Sequence, residues 1–270
     1  MKWSSEAEQA VKKAPFFVRK KVRAAAESYV RAQGRTAVAA ADVAAAKKRF
    51  LADMDSQVKG YQLDTCFGSS GCTRRAAPGD EIMARAEALL EEADLHTFLR
   101  RSVDGPLRFH HEFRVTVADC PNACSQPQIK DVGIIGGVRP GRTAETCTGC
   151  GDCRESCPDG AITIEEEQPA PLIDSDRCLL CGLCIQACPT GTLAAAESGF
   201  RVLLGGRLGR HPRLGLAVPG LLSADQVLAV LEKSIEFYKQ NSRNGERFAR
   251  LVSPADVEKI AAAAGVKYPG

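Results

Sequence analysis

One spacing occurs twice and constrains everything around it: Cys147-x2-Cys150-x2-Cys153-x3-Cys157-Pro158, then Cys178-x2-Cys181-x2-Cys184-x3-Cys188-Pro189. Two looser pairs, Cys66 with Cys72 and Cys120 with Cys124, bring the total to twelve cysteines in 270 residues. The number is even, so disulfides must be weighed. Neighbours within each run are too close along the chain to pair sensibly. The N-terminus, Met1-Lys2-Trp3-Ser4-Ser5-Glu6, has no apolar leader, which makes the cytoplasm the expected compartment, where thiols stay reduced. The thiols are therefore expected to hold metal.

The duplicated run is the ligand pattern of bacterial two-cluster ferredoxins, in which the fourth cysteine of each run serves the other cluster. Cys147, Cys150, Cys153 and Cys188 are expected to hold one [4Fe–4S] cluster, and Cys178, Cys181, Cys184 and Cys157 a second. A pair of C-x2-C motifs can also bind zinc, but a four-cysteine run repeated whole argues for iron–sulfur ligation. Ala161 to Ile164 and Thr192 to Ala194 are expected as the short strands after each run. Residues 145–197 thus form an inserted ferredoxin domain.

The looser pairs, C-x5-C and C-x3-C, supply four more thiolates, enough for a third cluster. Cys66-Phe67-Gly68-Ser69-Ser70-Gly71-Cys72 and Cys120-Pro121-Asn122-Ala123-Cys124 resemble the cluster site of the sirohaem sulfite and nitrite reductases. The flanks, His110-His111-Glu112-Phe113-Arg114-Val115 before and Ser125 to Gly137 after, resemble the dissimilatory sulfite reductases. So does the basic loop Gly205-Gly206-Arg207-Leu208-Gly209-Arg210-His211-Pro212-Arg213-Leu214. The resemblance implies three [4Fe–4S] clusters in one chain, with Cys124 bridging to sirohaem, and reduction of sulfite or nitrite. It implies an α+β domain, residues 57–144 and 198–270, interrupted by the ferredoxin insert.

Sulfite, nitrite and the carboxylates of sirohaem are anions, so basic residues near the motifs are the candidates for holding them. Lys130, Arg74 and Arg75 are expected at the catalytic site, converging on a cavity beside Cys124. Arg207, Arg210, His211 and Arg213 are expected on the cofactor. His110 and His111 fall in a segment that alternates like a strand, which would turn them to opposite faces. The net charge of +3 is too small to argue for nucleic acid, and no apolar run is long enough to span a membrane.

Residues 1–56 read as a small helical domain. Ser4 caps a first helix that Pro15 breaks, a second runs from Phe16 to about Ala32, and a third passes through Val43, Ala46 and Phe50. Trp3 to Ala7 and Lys13-Ala14-Pro15-Phe16-Phe17-Val18-Arg19 resemble the C-terminal module of the B-type chain of light-independent protochlorophyllide reductase. Further helices are expected from an Asp80 cap to about Arg101, from Ser223 and from Ser253, and a strand from Ile129 ending at Gly136-Gly137. Reductases of this family have two related halves with sirohaem between them, and one half has its counterpart here. A redox partner protein is expected, with the pocket completed in a homodimer or heteromeric complex. The alternative is a non-catalytic electron-transfer subunit without sirohaem.

Overall fold

The computed structural model describes residues 1–14, 16–165 and 169–267. It divides into two compact units, residues 1–59 with 103–111, and residues 60–102 with 112–270.

The first unit holds β1 (Lys2–Trp3), α1 (Ser5–Lys12), α2 (Arg19–Ala32), β2 (Ala37–Val38) and α3 (Ala40–Gln57). Ser4 caps α1, its hydroxyl accepting from the Ala7 N–H at 3.2 Å, which satisfies one of the donors a helix start leaves open. Ala7 and Val11 of α1, Ala26 and Val30 of α2, and Val43 and Ala46 of α3 close one core, as their helical spacing predicts. Pro15, expected to break the first helix, lies outside the described residues. A 3-10 turn at Phe16–Val18 precedes α2.

The second unit is built on a five-stranded sheet: β3 (Tyr61–Thr65), β4 (Phe113–Ala118), β5 (Val132–Arg142), β8 (Leu193–Leu204) and β9 (Leu216–Ala217), in that spatial order. β3, β4 and β5 run parallel, while β8 and β9 return antiparallel. Helices α4 (Asp80–Glu92) and α5 (Leu95–Ser102) lie between β3 and β4 in the chain. β5 and β8 are joined by an excursion containing α6 (Asp152–Glu155), the ribbon β6 (Ile162–Ile164) with β7 (Pro171–Ile173), and α7 (Leu183–Ala187). Helices α8 (Ala224–Asn241), α9 (Phe248–Leu251) and α10 (Pro254–Ala263) finish the chain. Phe113 of β4 meets Tyr238 of α8 at 5.3 Å between ring centroids and Phe248 of α9 at 5.4 Å. Burying side chains of this size contributes about 1.5–3 kcal/mol each.

Several boundaries differ from expectation. The helix expected from Asp80 to Arg101 is two helices, broken at Asp94, whose φ is +43° and whose carboxylate accepts from the Thr97 N–H at 3.2 Å to start the second. Gly79 is the N-cap and Asp80 the first helical residue. β5 starts at Val132 and runs through Gly136-Gly137 instead of ending there. At Gly136 a Cβ would lie 2.6 Å from the carbonyl oxygens of both Ala77 and Asp119, so glycine marks a close backbone approach there. His110 and His111 sit in a 3-10 turn with ring centroids 4.2 Å apart, not on opposite faces of a strand.

Candidate iron–sulfur centres and a cationic pocket

The split cysteines meet because their strands are parallel neighbours. Thr65 closes β3 opposite Val117 of β4, and the Cys66 N–H donates to Val117 O at 3.1 Å. The loops leaving the two carboxyl ends therefore share one edge of the sheet, where open α/β sheets place their ligands. Cys66, Cys72, Cys120 and Cys124 line a cavity of about 70 Å³ there, together with Arg74, Arg75 and Asp119. Burial pushes the Cys120 thiol up, and the neighbouring sulfurs of Cys124, Cys66 and Cys72 add to it. N–H groups already point at these sulfurs: Gly68 and Asp119 donate to Cys66 Sγ at 3.4 Å, and Asn122 Nδ2 to Cys124 Sγ at 3.0 Å. Such donors stabilise a thiolate, and around a cluster they raise its potential. Cys72 and Cys124 are exposed, and so is Phe67 beside them.

The two runs cross over. Cys157, from the first run, lines a cavity of about 20 Å³ with Cys178, Cys181 and Cys184 of the second. Burial pushes Cys184 up to about 11, with Cys181, Cys178 and Cys157 contributing after it. Burial likewise raises Cys153, whose sulfur neighbours are Cys150 and Cys188. For Cys188 burial works upward too, yet hydrogen bonds from Leu193 N–H at 3.5 Å and from Thr190 leave it lowered. Cys153, Cys184, Ile162 and Leu193 form the apolar centre of this lobe, flanked by Ile164, Ile173 and Ile185. Among the described residues, no three His, Cys, Asp or Glu side chains gather tightly enough to hold a single metal ion. The thiols line cavities instead.

The second run is fastened to the main sheet. β4 leaves β5 at Ala118 opposite Ile135. Three residues further along β5, the Val138 N–H donates to Leu180 O at 2.8 Å, and Cys181 bridges to Val138. Three residues of strand is roughly 10 Å. The loop carrying Cys178, Cys181 and Cys184 thus continues the same edge of β5 that β4 occupies up to the Cys120 turn.

The expected cluster of Lys130, Arg74 and Arg75 divides in two. Arg74 and Arg75 line the cavity of Cys66 and Cys124, with Arg75 held by Asp119 at 2.5 Å and by Asp80. Lys130, paired with Asp64 at 2.9 Å, lines a separate pocket of about 410 Å³ with Arg207, Arg114 and Arg247. Arg114 and Arg247 were not among the sequence candidates. Between them Asp131 is fully buried, accepting from Arg114 N–H at 2.9 Å and from Arg247 at 2.8 Å. Burial drives its pKa up against the pull of Arg247. Arg213 turns to the chain, donating to the carbonyls of Gly205, Ala249 and Val252 at 3.0, 2.9 and 3.2 Å. Arg210 and His211 are exposed in the loop and do not line the pocket.

Residues 80–269 match the nitrite and sulphite reductase 4Fe-4S domain. The chain belongs to that family of iron–sulfur proteins. Residues 3–47 match the proto-chlorophyllide reductase 57 kD subunit. Within the light-independent protochlorophyllide reductase of Chlorobium limicola, 40 residues of the B-type chain are 58% identical, covering 15% of this chain and 8% of that one. The coenzyme F420-dependent sulfite reductase of Methanocaldococcus jannaschii is 39% identical over 137 residues, 51% of this chain and 22% of its own length. The chain thus spans less than a quarter of either relative. The crystal structure of dissimilatory sulfite reductase I superposes with a TM-score of 0.53 at 19% identity, covering 82% of this chain and 58% of that one, a likeness of fold. Both resemblances read from the sequence hold at the level of family. Among the described residues, no helix is long and apolar enough to cross a membrane.

Proposed function

We propose that the chain is an oxidoreductase that carries electrons through two ferredoxin-type [4Fe–4S] clusters to a third, coupled to sirohaem, and reduces sulfite or nitrite. The observation that carries this reading is the meeting of Cys66, Cys72, Cys120 and Cys124 at one sheet edge, with Arg74 and Arg75 at the same cavity. The division into a helical domain at 1–56, a reductase-like domain at 57–144 and 198–270, and a ferredoxin insert at 145–197 belongs to the proposal.

The donor sets fit the groups. Each of the three sets has four thiols, with N–H donors already aimed at Cys66, Cys147, Cys157 and Cys188. The clusters would supply one-electron transfer, and sirohaem would supply a redox-active iron for the anion. The rest is done by the chain's own residues. Cys124, exposed at the cavity, would be the ligand shared with sirohaem. Arg74 and Arg75 supply positive charge at the cavity mouth. Lys130, Arg114, Arg207 and Arg247 give the 410 Å³ pocket a cationic wall for sulfite or a cofactor carboxylate. Asp131, buried against Arg247, fixes one side of that wall. A redox partner protein would deliver the electrons, and a second copy or another subunit would complete the haem pocket. Twelve thiolates kept free for metal suit a reducing cytoplasm.

Iron content and absorption of the anaerobically purified protein test this. The expected result is sharp tetrapyrrole bands with about thirteen irons, three four-iron clusters and one haem iron, and sulfite- or nitrite-dependent oxidation of a reduced dye. Exchanging Arg207 and Lys130 for alanine should then raise the KM for the anion about tenfold or more, the loss of charge-assisted hydrogen bonds. Broad cluster absorbance with about twelve irons, after expression with ample sirohaem, would overturn the enzyme and leave an electron-transfer subunit.

A further inference from the structure

The helical unit takes no part in the proposed anion chemistry, yet it holds a groove of about 520 Å³. Two of its walls are stripes at helical spacing. Val18, Lys21, Val22 and Ala25 come from the turn before α2 and its first half, and Val43, Ala46, Lys47 and Phe50 come from α3. Each set follows i, i+3, i+4, i+7, the positions that share one face of a helix. An apolar face of that kind is normally packed against another element. Val43 and Ala46 are, in the core of the unit. Ala25 is exposed, and Phe50 is 58% exposed. Aromatic side chains are enriched where proteins bury surface on each other, so an open phenylalanine at an apolar groove marks a contact still to be made.

The charge around the groove is equally unanswered. Lys13 joins Lys21 and Lys47 along it, and no Asp or Glu lines it. Glu8, Glu27 and Asp42 of the same unit are taken by Arg23, Arg31 and Arg35, and none of the three lysines has a carboxylate partner among the described residues. Residues 1–59 carry thirteen Lys and Arg against six Asp and Glu, while the remainder of the chain carries 23 against 27. The positive charge is therefore a property of this unit, which is how a charge asymmetry points to a partner.

We infer that this groove is a docking site for an acidic amphipathic helix of another protein. Seven residues of α2 or α3 span roughly 10 Å, two turns. A helix laid into the groove presents its own i, i+3, i+4, i+7 apolar residues over the same length. Carboxylates flanking that stripe meet Lys13, Lys21 and Lys47. A small inorganic anion would leave the apolar walls wet, and a nucleic-acid backbone would leave Phe50 without a use. The inference goes beyond the proposed reductase chemistry, since it concerns the helical unit alone and is independent of whether sirohaem is bound.

The test is fluorescence anisotropy of the full-length anaerobic holoprotein with a labelled synthetic helix of about fifteen residues. Its leucines stand at i, i+3, i+4, i+7, and glutamates flank them. Two controls carry lysine for every glutamate, or the same composition in scrambled order. The acidic helix should bind saturably, at least about tenfold tighter than either control, and more weakly at high salt. Phe50→Ala should weaken it about tenfold. Lys21→Glu combined with Lys47→Glu should reverse the preference, so that the basic helix binds and the acidic one does not. Circular dichroism checks the fold of each variant, and Ala25→Glu, at an exposed position of the same wall, replaces any that unfolds and should also abolish binding of the acidic helix. Absence of saturable binding overturns the inference. So does equal binding of acidic and basic helices, or binding that Phe50→Ala and the charge reversal leave unchanged. Binding of phosphatidylglycerol vesicles through Phe50, with none of the acidic helix, would assign the groove to a membrane surface and overturn the helix.

Discussion

The two cysteine runs are near copies in sequence and differ in what surrounds them. Each starts a short helix at a glycine in the left-handed region, Gly151 at φ +90° before α6 and Gly182 at φ +73° before α7. One residue earlier than the second cysteine the copies part. The first run has Gly149 at φ +71°, while the second has Leu180 at φ +65°. A left-handed leucine costs roughly 1–2 kcal/mol, and only its surroundings can hold it there. Leu180 O accepts from Val138 N–H at 2.8 Å, and its Cβ reaches to 3.3 Å of the position a Cβ would take on Gly137. Docking against β5 thus distinguishes an inner run from an outer one. A duplicated motif supplies two equivalent sets of thiols, and contact with the host sheet makes their surroundings unequal.

The largest expected effect breaks the simplest version of that comparison, in which each run serves its own cluster. Cys157→Ser should remove the same cluster as Cys178→Ser, and Cys188→Ser the same one as Cys147→Ser. Each loses about four irons, read by iron analysis with the residual paramagnetic signal as fingerprint. If Cys157→Ser and Cys147→Ser leave identical residual spectra, the crossed ligation is wrong.

Next in size is the glycine pair. Gly151→Ala adds a Cβ whose nearest neighbour is the Arg154 side chain at 3.7 Å, so it should cost about 1 kcal/mol, the left-handed penalty alone. At Gly182 a Cβ would stand 2.4 Å from Val138 Cγ1. Gly182→Ala should cost a further ~1–3 kcal/mol of overpacking, seen as a lower melting temperature of the holoprotein. Val138→Ala in the same chain should recover part of that loss for Gly182→Ala and none for Gly151→Ala. A coupling of zero would mean the second run does not depend on β5.

The smallest effect concerns Cys188, proposed with Cys147, Cys150 and Cys153 as a ligand of the outer cluster. Thr190 Oγ1 lies 3.6 Å from its sulfur and 2.8 Å from Thr192 Oγ1. Thr190→Val removes one donor and should shift the outer midpoint slightly downward while the inner one stays put. A shift confined to the inner cluster would reverse the assignment of the two sets.

How much of the site was legible follows the range of the interactions. Three thiols spaced by two residues converge by local backbone geometry, so the runs could be read from spacing, and the expected exchange of the fourth ligand from the ferredoxin pattern. Helices α1, α8 and α10 announced themselves through Ser4, Ser223 and Ser253, whose hydroxyls accept from N–H groups three residues on. The division of the basic residues could not be read this way. Arg213 sits four residues after Gly209 in a loop rich in positive charge, and nothing in that spacing says it will be spent on three carbonyls. Arg114 was visible only as the polar member of an alternating strand, and Arg247 stands in a stretch with no motif. They join Lys130 because β4, β5 and the start of α9 meet around Asp131.

By itself the amino-acid sequence determined the kind of chemistry, twelve thiols, ten of them within the stretch that matches the nitrite and sulphite reductase 4Fe-4S domain, because ligand spacing and helix caps are decided by residues a few positions apart. Only the tertiary structure decided which run lies against the sheet, and which arginines face a cavity and which are bound up in hydrogen bonds. Those outcomes depend on which edge of β5 is still open where β4 ends, and an open hydrogen-bonding edge is a property of paired strands, not of any one segment of the chain.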